Sequence, residues 1–107
     1  MISKELLDIK VMTKANIYWD GKVISRTYHR KDGSKFTLGV ITAGTYTFDV
    51  GDKEVVSLIA GEAEIILPEE KEWHSVKTPD IFEIPAHSQY QIRTPEVVEY
   101  LCDYIPD

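Results

Sequence analysis

A chain of 107 residues fits one domain that buries a core of its own, at a size where pairing with a second copy adds useful stability. With 43% hydrophobic and 28% charged residues it has the composition of a soluble globular protein, not of a disordered one. Eighteen acidic against 12 basic side chains give a formal charge of -6, which disfavours a general nucleic-acid or anionic-membrane surface, so an anionic ligand must find a local positive site.

The opening residues MISKELLDIK lack a signal peptide's apolar stretch, and no apolar run reaches membrane-spanning length, so a cytoplasmic protein is expected. Ser3 to Val11 is compatible with a short amphipathic helix capped by Ser3, with fraying the rival for so short a terminus. From Ile17 onward short β-rich runs alternate with turn residues: GKVISRTYHR, KDGS, KFTLGVITAGTYTFDV, GDK, EVVSLIAGEAEIILP. Asp32-Gly33 between two such runs is a strong hairpin signal, because both positions tolerate positive φ. The pattern continues through EWHSV, DIFEI, SQYQIR and VVEYLCDYI, with Pro68, Pro79, Pro85 and Pro95 falling between the strands. Eight or nine short strands at regular spacing argue for an all-β sandwich or barrel. We expect one domain over residues 1–107, with 1–15 as an N-terminal extension and 16–107 as the barrel. The lone Cys102, in a largely apolar run, excludes an internal disulfide and a cysteine-based zinc site and reads as a small core residue.

Two segments carry more information together than apart. EVVSLIAGEAEIIL reads as a strand from Glu54, a turn at Gly61-Glu62 and a returning strand, and PDIFEIPAHSQYQI as a strand, the Ile84-Pro85 bend and another strand. They resemble the two half-motifs of the cupin fold, a small double-stranded β-helix or jelly-roll barrel. Glu54 stands at the position of the cupin glutamate, but the metal histidines of that pattern are replaced by Thr47 and Asp49, or by Phe48 and Val50, and the later one by Tyr90. His29, His74 and His87 show no ligand spacing, so the site reads as metal-free, with Asp49 and Glu54 the residual pair for a weak ion.

The runs GVITAGTYTFDV, SLIAGEAEIILP, FEIPAHSQYQI and EYLCDYI, nearly collinear from about Tyr18 to Tyr104, resemble the pyrimidine/purine nucleoside phosphorylase family, small proteins with a single cupin domain. The first dozen residues and the stretch Arg26 to Lys35 depart most from that pattern. The resemblance implies phosphorolysis of purine and pyrimidine nucleosides to ribose 1-phosphate and free base, by a homodimer without metal or organic cofactor, orthophosphate being the co-substrate.

Such chemistry passes through an oxocarbenium-like state and needs groups that hold phosphate, bind ribose and stabilise the departing base. For the base, His87 is a donor near neutral pH, or else a turn histidine bonded to a carbonyl. Ser88 offers a hydroxyl to ribose or phosphate, or closes the same turn. Tyr46, Phe48 and Tyr90 offer flat surface for stacking, or core packing. Glu54 accepts bonds from the ribose hydroxyls, or is a solvated strand start. Arg26, Arg30, Lys53 and Arg93, or the backbone N–H groups of Ala86-His87-Ser88, are the phosphate candidates, with a partner subunit's basic residue a further one. Trp19 and Trp73 read as caps on the barrel or as interface cover. The rival reading is a non-catalytic, metal-free cupin that binds a nucleoside, sugar or similar small molecule.

Overall fold

The computed structural model describes residues 2–106, and among them eleven strands. In chain order these are β1 (Lys10–Val11), β2 (Asn16–Tyr18), β3 (Val23–His29), β4 (Lys35–Ile41), β5 (Gly44–Val50), β6 (Lys53–Ala60), β7 (Glu62–Ile66), β8 (His74–Lys77), β9 (Ile81–Ile84), β10 (Ser88–Thr94) and β11 (Val98–Ile105). Two four-stranded sheets face each other, ordered β4-β11-β6-β9 and β5-β10-β7-β8; β3 extends the first beyond β4, with β1 and β2 on β3. This is the jelly-roll barrel that the strand pattern implies.

Alternation along each strand sets what faces inward. In β11, Val98, Tyr100, Cys102 and Tyr104 share the inner face, opposite Ile41, Gly39 and Thr37 of β4 and Leu58, Val56 and Glu54 of β6. The inner core is built from Val23, Ile41, Ile65, Ile84, Ile92 and Val98, each almost fully buried. Removing each of these side chains from water contributes roughly 1.5–3 kcal/mol.

Three expectations need correction. No helix forms over Ser3 to Val11: Ser3 Oγ accepts from Glu5 N at 3.3 Å as a cap would, but no helical turn follows. The outer face of the large sheet carries buried Phe36 and Leu101, and an irregular segment brings Leu6, exposed, and Ile9, half-buried, to the edge of a pocket that Tyr28 and Leu38 of that sheet also line. A helix of so few residues is marginal in water on its own. Gly61-Glu62 does not close a hairpin either: β6 pairs with β11 and β9, and β7 with β10 and β8, so the chain crosses between sheets there. Gly61, at φ +87°, is required at the crossing, because a Cβ would stand 2.8 Å from the Val97 carbonyl oxygen. The strand number exceeds eight or nine because β1 and β2 are two- and three-residue additions to β3. The Asp32-Gly33 hairpin joins β3 to β4 as the sequence requires, with His29 opposite Lys35.

Candidate active site

A cavity of about 480 Å³ opens between the two sheets at the end where β5 turns into β6. Phe48 of β5 and Tyr90 of β10 are register partners, and their rings stack with centroids 5.4 Å apart at 17°. Trp19 closes this wall, its ring 5.2 Å from Phe48 and 5.0 Å from Tyr46. Trp19 holds φ +48°, a conformation that a bulky residue adopts only when its surroundings impose it, and the aromatic contacts supply that constraint.

The facing wall comes from the large sheet and carries polar groups. Glu54, Ser25, Tyr100, Cys102, Tyr104 and Lys35 line it. Tyr100 lies across Gly39, its register partner on β4, where a Cβ would approach the ring to 2.5 Å. Glycine is therefore what lets that tyrosine lie flat along the wall. Cys102 Sγ donates to Glu54 Oε1 at 3.3 Å, and the Tyr104 hydroxyl lies 3.4 Å from Thr37 Oγ1. Lys35 holds its ammonium over the Tyr104 ring, 4.8 Å from the centroid.

Burial tunes these groups. It lifts the Glu54 carboxyl above the ordinary carboxylate range, and the bond from Cys102 only partly opposes the shift. The hydroxyls of Tyr90, Tyr100 and Tyr104 and the Cys102 thiol are all pushed up, first by burial and then by neighbouring acidic groups. At neutral pH the wall is thus a set of hydroxyl and thiol donors around one carboxyl that holds its proton more tightly than an exposed one does. Among the described residues no buried side-chain oxygen or nitrogen lacks a partner, and no three acidic, cysteine or histidine side chains converge as a metal site requires.

Of the residues singled out from sequence, the structure brings Glu54, Phe48 and Tyr90 together in this cavity. Tyr46 lies behind it, buried, its hydroxyl donating to the carbonyls of Thr42 at 3.0 Å and Ala43 at 3.2 Å. His87 and Ser88 are outside the cavity lining, in the crossing between β9 and β10. His87 is exposed at φ +56°, and its N–H donates to the Gly51 carbonyl at 2.8 Å; the Ser88 hydroxyl donates to the Pro85 carbonyl at 2.6 Å. Asp49 lines the rim and accepts from Gln89 Nε2 at 2.6 Å. Arg30 pairs with Asp103 at 2.7 Å, Lys53 with Glu83 at 2.6 Å and Arg93 with Glu64 at 2.9 Å, Arg93 also stacking on Trp73. None of these basic groups lines the cavity, nor does Arg26. Lys35, Tyr100 and Tyr104 were not singled out, although alternation through Cys102 places both tyrosines on one face.

Comparison with known proteins covers nearly the whole molecule. Residues 13–104 match the family model described as pyrimidine/purine nucleoside phosphorylase. A pyrimidine/purine nucleoside phosphorylase of Syntrophotalea carbinolica is 42% identical over 101 residues, 94% of this chain and 97% of that protein. One from Wolinella succinogenes is 40% identical over 98 residues, 92% of this chain and 93% of that protein. The crystal structure of a protein of unknown function from Acinetobacter sp. ADP1 superposes with a TM-score of 0.94 at 31% identity, covering 96% of this chain and 100% of that one. A cupin superfamily protein from Desulfitobacterium hafniense superposes with a TM-score of 0.65 at 17% identity over 79% of this chain and 78% of that one, a likeness of fold.

Proposed function

The chain belongs to the pyrimidine/purine nucleoside phosphorylase family, and on that premise we propose that it cleaves purine and pyrimidine nucleosides with orthophosphate to ribose 1-phosphate and free base. The observation that supports this chemistry best is the cavity's division between the stacked Phe48–Tyr90 wall and the half-buried Glu54 carboxyl. A base laid on that wall is held by its face and not by its edge, which suits substrates of both ring types. Cys102 engages Glu54 Oε1, which leaves Oε2 for the substrate.

In the reaction a hydrogenphosphate oxygen forms the new bond to C1′ as the C1′–N bond breaks, and the electron pair of that bond moves onto the base nitrogen. The Glu54 carboxyl gives its proton to the departing base, and the proton released by the phosphate returns to the carboxylate, so the step balances without a redox partner. A carboxyl lifted above its usual range is suited to this exchange. Ser25 and Tyr100 supply hydroxyls for the ribose. His87 and Ser88 act here as the turn that positions the cavity rim, because the His87 N–H holds Gly51, which lines the cavity. Tyr46 braces Trp19. The reaction in this reading is a pentosyl transfer with no metal or organic cofactor. The enzyme is taken as a cytoplasmic homodimer, and apolar side chains exposed around the barrel, among them Ile17, Ile81 and Val97, support the pairing.

EDTA-treated protein incubated with uridine, inosine and adenosine, with and without orthophosphate, tests the reading. The expected result is base release that requires phosphate, with ribose 1-phosphate in equal amount. No release from any nucleoside would favour the non-catalytic binding module.

A further inference from the structure

We infer that Lys35, seated over Tyr104 at the cavity rim, is the residue that binds the phosphate co-substrate. The inference rests on the phosphorolysis reading and adds its missing element, a cation for an anionic reactant in a chain of net charge -6.

The geometry narrows the choice. Arg30, Lys53 and Arg93 are each tied to a carboxylate outside the cavity. Arg26 stands opposite Leu38, on the outer face of the sheet. Lys35 is the one lysine or arginine among the described residues that lines the cavity, and its ammonium sits over a neutral ring instead of beside a carboxylate. A cation held on an aromatic face gives up few of its three N–H donors to the ring and keeps the rest open to an anion.

The neighbours fit an anion as well. Tyr104 presents a protonated hydroxyl beside Thr37 Oγ1, which gives two further hydrogen-bonding groups under the ammonium. Tyr104 is also the register partner of Glu54, so phosphate held here lies next to the carboxyl that protonates the base. Asp49 and Asp52 line the β5 side of the same cavity and repel an anion, which confines it to the Lys35 side. Alternation puts Lys35 on the inner face with Thr37 and Gly39.

Lys35→Gln and Lys35→Arg, each compared with the unaltered protein, test the assignment through two readouts. The first is the pair of Michaelis constants for phosphate and inosine. The second is the rise in melting temperature on titration with inorganic phosphate alone, which needs no turnover. Lys35→Gln should raise the phosphate KM at least tenfold, change the inosine KM less than twofold and abolish the phosphate-induced thermal shift. Lys35→Arg should restore part of both, and neither variant should alter the melting temperature without phosphate. A Lys35→Gln protein with an unchanged phosphate KM and shift overturns the inference while leaving the phosphorylase reading intact. Should the unaltered protein release no base, a thermal shift lost in Lys35→Gln still supports an anion site at Lys35, and the absence of any shift overturns it.

Discussion

The two ends of the barrel interior are built on opposite rules. At the end near the β4–β5 crossing, Val23, Ile41, Ile65, Ile92 and Val98 fill the space between the sheets with side chains that carry no polar atoms. At the other end the same strands place Lys35, Glu54, Tyr90, Tyr100, Cys102 and Tyr104 around an open cavity. β11 shows the change within one strand, from buried Val98 through Tyr100 and Cys102 to Tyr104, all on the same face. Burying a carboxyl and several hydroxyls costs free energy unless they are hydrogen-bonded. The Cys102–Glu54 and Tyr104–Thr37 contacts limit that cost without filling the space. The closed end thus carries stability, and the open end gives some of it up to keep a polar cavity open.

Substitutions at the two ends should therefore separate stability from turnover. The largest stability effect is expected from Ile65→Ala, which empties a fully buried position at the closed end. A loss of about 2–5 kcal/mol in urea unfolding, with turnover per folded molecule unchanged, would bear out the division. Loss of turnover in protein that remains folded would break it.

A smaller, pH-dependent effect is expected from Glu54→Gln. Burial raises the Glu54 carboxyl's affinity for its proton in the folded state, so the native protein loses stability as pH climbs from the ordinary carboxylate range through the raised value. Glutamine removes that penalty. The variant should melt a few degrees higher than the unaltered protein at about pH 8, and the gain should vanish at about pH 3, where the carboxyl is protonated whether folded or not. A variant less stable at both pH values would mean that the Cys102 contact outweighs the cost of burial.

The smallest effect is expected at the rim. His87→Gly removes the imidazole while accepting the positive φ of that position, so turnover should stay within about threefold and stability within about 1 kcal/mol. A hundredfold fall in turnover with the fold intact would return the imidazole to the chemistry.

The same contrast explains how much the sequence discloses. The strands, the Asp32-Gly33 hairpin and the buried Cys102 follow from alternation and turn chemistry, which are local. Strand partners are not local: nothing in SLIAGEAEII distinguishes a hairpin from a crossing between sheets. Glu54, Phe48 and Tyr90 were legible because their positions along two recognisable half-motifs carry over into space. Lys35 was obscured because it lies in a polar stretch that looks like a loop, although it is the first residue of β4 and shares the inner face with Thr37. His87 drew attention by its chemistry, whereas its positive φ and its N–H bond to Gly51 explain its place in a tight crossing. Residue type alone does not show whether a histidine faces a cavity or turns a corner.

The most direct test of an active centre at the open end is the turnover number of Glu54→Gln with inosine and saturating phosphate, measured beside its melting temperature. The account expects a fall of about a hundredfold or more in a protein at least as stable as the original at neutral pH. Turnover within a fewfold of the original, in a folded variant, would contradict it.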